Sequence, residues 1–210
     1  MLWRNKRYRY GVVAQFANVG AQVCAWTYLI VYVEQALGGS LEKGGAYLQA
    51  SLLVFLASRF LMTWLIGRVR ATKVLAVLAF GAVALCAFAM SSPNMAGVIA
   101  IVALSFCLSL MFPTIYGVAL KGLGPATKFG AAGLVMAIVG GAIMPVVQGR
   151  LVDATSAAFS FIVPAGCFVV VGLYALYDLR ARPSVLGGEP APETGPARPG
   201  LSPRPADGVA

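Results

Sequence analysis

Gln15, Asn18, Gln22 and Trp26 stand 3, 4 and 4 residues apart. At 100° per residue they fall within an arc of roughly 80° on a helix. Three amides and an indole on one face offer hydrogen-bond donors, acceptors and an apolar plate. A hexose needs that combination, because its hydroxyls want paired donors and acceptors while its C–H face stacks on an aromatic ring. The competing reading is that the amides only join helices across a packed interface. A second stripe repeats the theme. Ser105, Ser109, Phe112 and Tyr116 are spaced 4, 3 and 4, and hydroxyls and aromatics on one face suit the same cavity. Against that, serine bonds readily to its own helix backbone and aromatics are common packing residues. Pro113 within this stripe should bend its helix. Arg59 is the one charge deep in an apolar stretch. A cation there costs about 2.5–3.5 kcal/mol on insertion scales, so it should face a partner or water as a gate or cavity residue. The alternative is a structural cation held by carbonyls at helix ends.

The elements that must carry these residues are apolar and long. Hydrophobic residues make up 60% of the 210 and charged ones 11%, far from soluble averages. Gly11–Val33 is 23 residues without a charge, and about Ala46–Gly67 is interrupted only by Arg59. Val74–Leu120 is 47 uncharged residues with a turn signal at Ser91–Asn94, which makes it a helical hairpin. Phe129–Gly149 and about Ala157–Tyr177 follow. Each crosses a bilayer core of roughly 30 Å at 1.5 Å per residue. The expected fold is an all-α polytopic membrane protein of six transmembrane helices over residues 10–182. A basic flank, residues 1–9, precedes it. A Pro/Gly-rich tail, residues 183–210, cannot bury enough surface to offset its chain entropy and is expected to be disordered.

Cations separate sharply between alternate loops. Arg4, Lys6, Arg7, Arg9, Arg68, Arg70, Lys73, Lys121, Lys128, Arg180 and Arg182 fall on one side, and Lys43 and Arg150 on the other. The positive-inside rule then places both termini in the cytoplasm of a plasma (inner) membrane. The net charge of +9 therefore reads as membrane topology, not as nucleic-acid binding. No cleavable signal peptide is expected, because the first apolar span is too long and too polar. The chain has no histidine, which excludes histidine bases and histidine metal sites. Cys24, Cys86, Cys107 and Cys167 each lie inside an apolar run with no CxxC pair, so they read as packing residues. With no paired intramembrane carboxylates and no nucleophile–base pair, the chain is not expected to be an enzyme, nor to hold a metal or cofactor.

Phe112–Asp153 joins the end of one span, a basic loop and the next span. Lys121–Lys128 carries two cations and no acid. Gly133, Ala137 and Gly141 beyond it form a small-residue surface for close helix approach. Pro145 should interrupt the backbone ladder near the far end. The string of Pro113-Thr114-Ile115 and an aromatic, then Lys121-Gly122-Leu123-Gly124 with Thr127-Lys128, then VMAIVGGAI before Pro145, resembles the fucose permease branch of the major facilitator superfamily. There this stretch joins the tenth and eleventh helices. The segment from Ala14 to Val23 is similar to one the family keeps in its seventh helix. The resemblance covers about residues 8–180 and implies the C-terminal six-helix half of a sugar–proton symporter of the L-fucose/glucose/galactose type. It implies a sugar substrate, a proton as coupling ion and a separate N-terminal six-helix half that carries the coupling carboxylates. The alternatives are a non-transporting six-helix membrane fragment and a split-gene subunit.

Overall fold

The computed structural model describes residues 5–66, 70–121 and 123–181. The expected tail, and Arg4, Arg68, Gly122 and Arg182, lie outside the described residues. Among the described residues eight α-helices follow one another: α1 (Lys6–Leu37), α2 (Leu41–Ile66), α3 (Ala71–Ser91), α4 (Met95–Leu120), α5 (Thr127–Met136), α6 (Gly140–Ala154), α7 (Ala157–Ser160) and α8 (Ile162–Ala181). They make six passages long and apolar enough to cross a membrane, with α5–α6 and α7–α8 each counting as one.

Local chemistry sets the boundaries. The Asn5 side chain accepts from the N–H groups of Arg7 and Tyr8, so α1 begins before the uncharged run does. It ends at Gly38, whose φ of 59° suits a residue without Cβ. Residues 6–9 of the expected basic flank are thus the first turn of α1. The hairpin turn falls where Ser91–Asn94 predicts it, and Asn94 caps α4 through the N–H groups of Ala96 and Gly97.

Two passages depart from single helices. The fifth is tightened into a 3₁₀ turn at Ala137–Val139, and α6 then continues through Pro145, where the interruption was expected. The sixth breaks at Phe161. Pro164 has no N–H to give the Ser160 carbonyl, so the ladder cannot run unbroken from α7 into α8. By contrast α4 remains one helix through Pro113.

α8 packs between α1 and α3, while α4 packs on α1, α2 and α3. α1 lies at the centre and also runs along α6. All four cysteines are buried as free thiols, three of them in this core. Tyr32 is fully buried beside Phe161, ring centroids 5.5 Å apart and edge to face. Its hydroxyl donates to the Ala89 carbonyl at 2.7 Å and lies 3.1 Å from that of Ser92, closing the end of α3 onto α1. Tyr32→Phe is expected to cost about 1 kcal/mol, read as a lower thermal midpoint in detergent micelles.

Burial is uneven. More than half of the best membrane-spanning stretch is buried in α1, α4 and α7–α8, but only 17% in Leu41–Leu61 and 22% in Gly124–Ala154. α2 and α5–α6 therefore leave broad apolar faces uncovered, with Leu53, Phe60, Leu61, Phe129, Met136 and Val146 among the exposed side chains.

Candidate functional site

The two sequence stripes meet. Gly11 lies against Ala119, and the Trp26 indole N–H donates to the Ser105 hydroxyl at 3.2 Å. Fifteen residues separate Gly11 from Trp26 and fourteen separate Ser105 from Ala119, so α1 and α4 run antiparallel in step. That register puts Gln22 level with Ser109, Asn18 level with Phe112, and Gln15 level with Tyr116.

The stripes then divide by burial. Gln22, Trp26, Phe112 and Tyr116 are half-buried and form an open wall. The Phe112 and Tyr116 rings stack at 6.3 Å with 10° between their planes. Gln15, Asn18 and Ser109 are fully enclosed. Asn18 precedes Ala25 by seven residues and Leu29 by eleven, which places it on the stripe of α1 that faces the apolar core. The amide atoms of Gln15 and Asn18 make no hydrogen bond among the described residues. The Ser109 hydroxyl donates to the Phe106 carbonyl at 2.9 Å, the local bond that competes with a ligand role. In this conformation those three do not reach the open face expected for them.

α2 adds residues the two stripes do not contain. The Ser51 hydroxyl pairs with that of Ser105, which also accepts from Trp26. Phe55 meets the Trp26 ring edge-on at 5.2 Å. One polar tie therefore links α1, α2 and α4 around the indole. Tyr47, Ser51, Phe55 and Ser58 are spaced 4, 4 and 3, the same signal that marks the other two stripes, and it is legible once Arg59 is set aside. Arg59 itself is on an exposed part of α2, among Leu56 and Phe60.

Among the described residues no group of three His, Cys, Asp or Glu side chains could hold a metal ion. Glu34, Glu42, Asp153 and Asp178 all lie near helix ends. The arrangement can hold a neutral polyhydroxylated ring against aromatic faces.

No family model matches the chain. The L-fucose-proton symporter of Haemophilus influenzae is 38% identical over 179 residues, which is 82% of this chain and 42% of that protein. The glucose/galactose transporter of Brucella abortus is 30% identical over 184 residues, 85% of this chain and 44% of that protein. A crystal structure of the major facilitator superfamily transporter FucP in the outward conformation superposes with a TM-score of 0.81 at 37% identity. It covers 83% of this chain and 43% of FucP. The chain is a homologue of L-fucose-proton symporters and glucose/galactose transporters. Its fold is one six-helix half of a major facilitator fold, and it is a multi-pass membrane protein. The chain spans about two fifths of the length of the curated relatives it matches.

Proposed function

We propose that this chain is the C-terminal half of a sugar–proton symporter of the L-fucose/glucose/galactose type, working by alternating access with a separate N-terminal six-helix half. The uneven burial carries this reading. In a half that covers about 43% of FucP, the weakly buried α2 and α5–α6 are the faces a second half would cover. The half-buried Gln22, Trp26, Phe112 and Tyr116 form the sugar-facing wall. Gln15, Asn18 and Ser109 lie behind it, to be uncovered only by helix motion. Arg59, on the uncovered side of α2, faces the interface or its water. Proton coupling needs a titratable group in the cavity, and the described carboxylates of this half, Glu34, Glu42, Asp153 and Asp178, sit near helix ends. The coupling carboxylate therefore belongs to the other half. Lys6, Arg7, Arg9, Arg70, Lys73, Lys121, Lys128 and Arg180 collect at one end of the bundle, which supports cytoplasmic termini in the inner membrane.

Reconstitution with a cognate N-terminal half tests this. The paired halves should accumulate labelled L-fucose or a related hexose under an inward proton gradient, and this chain alone should not. Uptake by this chain alone would refute the division of labour. In the paired sample Gln22→Ala should leave sugar hydroxyls unpaired and weaken affinity about 5- to 150-fold, the equivalent of about 1–3 kcal/mol. Normal affinity with poor folded yield would instead make Gln22 a helix-joining residue.

A further inference from the structure

α1 and α8 meet at Gly11 and Tyr174, and on the side of the bundle's basic end the rings of Tyr10 and Tyr177 touch edge to face at 5.1 Å. Between these helices runs a groove of about 320 Å³ lined by Tyr10, Val13, Val170, Leu173, Tyr174 and Tyr177. Val13 is 54% exposed and Leu173 58%, so the groove opens outward where acyl chains lie. Its floor is apolar, and its lower lip is two tyrosines of the kind that settle at the headgroup level of a membrane.

The charges stand at one mouth. Lys6 precedes Tyr10 by four residues and Arg180 follows Tyr177 by three, so each is a helical neighbour of a lip tyrosine. Both side chains are exposed. The Arg9 guanidinium lies 6.0 Å from the centre of the Tyr10 ring. The neighbouring carboxylate, Asp178, is enclosed and committed to Arg7 and Thr72, so it does not neutralise the mouth. An apolar slot that ends in exposed cations matches an amphiphile with one anionic end.

We propose that this groove binds an anionic phospholipid, with an acyl chain between Val13 and Leu173 and the phosphate between Lys6 and Arg180. Charge complementarity selects this occupant over a zwitterionic lipid, whose own cation opposes Lys6 and Arg180. The site is distinct from the open wall of α1 and α4, because Tyr10 and Val13 lie on another side of α1 from Gln22 and Trp26.

Native mass spectrometry of the full chain in micelles, titrated with phosphatidylglycerol and phosphatidylcholine, tests the site. Phosphatidylglycerol should be retained about tenfold more strongly. The Lys6→Gln/Arg180→Gln double variant should bring the two lipids within twofold at unchanged helicity. If the double variant does not fold, each single variant should lose about threefold. Leu173→Trp, which fills the groove, should weaken retention of both lipids. Equal retention of the two lipids by the unsubstituted chain would overturn the proposal, as would a preference that survives loss of both cations. Retention of both lipids untouched by Leu173→Trp would overturn it too, leaving only a diffuse basic surface. A dimer that separates on Leu173→Trp without any lipid preference would assign the groove to a second copy instead.

Discussion

Asp178→Ala is expected to lower the stability of the bundle by about 3–5 kcal/mol. Asp178 Oδ1 lies 2.7 Å from an Arg7 guanidinium nitrogen, and Thr72 Oγ1 donates to Oδ2 at 2.9 Å. The Asp178 side chain is 4% exposed and that of Arg7 16%. The carboxylate thus ties the basic ends of α1, α3 and α8 together. Truncating it leaves a guanidinium with little water and no counter-charge, which costs far more than the pair itself contributes. The control follows from the same argument. Arg7→Met/Asp178→Leu replaces both charges with apolar groups of similar size and should recover most of the loss. Denaturation in micelles, followed by circular dichroism, distinguishes these outcomes. A loss below about 1 kcal/mol for Asp178→Ala would show the pair to be solvent-screened and the tie unimportant.

Gly140→Ala should destabilise by about 3 kcal/mol, the upper end of the overpacking range. A Cβ at Gly140 would collide with the carbonyl oxygen and carbonyl carbon of Phe16 in α1, both of them backbone atoms that cannot turn aside. Gly20 meets Met144 and the Gly140 carbonyl from the opposite direction, so the two backbones approach over more than one turn. Small residues permit this, and in lipid such close packing is the main attraction between helices. Gly166→Ala adds the same methyl to α8 where nothing lies within 4 Å. There it should gain about 0.5–1 kcal/mol through helix propensity. Equal effects at the two sites, measured in the same denaturation series, would remove close approach as the cause.

That pair of glycines also shows what sequence periodicity can reach. It identifies a small-residue surface in the fifth passage, and the structure does place α1 against it. A uniform helix selects Gly133, Ala137 and Gly141. The 3₁₀ turn at Ala137–Val139 adds about 20° per residue over the α-helical step, roughly 60° in all. That rotation brings Gly140 round to the face of Ala137 and turns Gly141 aside, toward the side chains of Val19 and Val23. Six passages, the Ser91–Asn94 turn and the meeting of aromatic and amide stripes all follow from charge-free length and helical spacing. The burial of Gln15 and Asn18 is harder to read, because both are enclosed although each lies within about 40° of the half-buried Gln22 on the helix wheel. The Arg7–Asp178 pair escaped for a different reason. Both residues look like interfacial charges when counted by loop, and only the approach of α1 to α8 shows that they are enclosed.

The sealed thiols have a practical side. Cys24, Cys86, Cys107 and Cys167 are 0%, 1%, 7% and 8% exposed, and maleimide-type reagents need an accessible thiolate. The chain is therefore chemically silent toward such reagents as it stands. A single cysteine introduced at Phe60 on α2 or Met136 on α5 would carry essentially all of the label, with no native residue removed from the core. Fluorophores at those two positions, on the faces the bundle leaves bare, would report the arrival of whatever covers them.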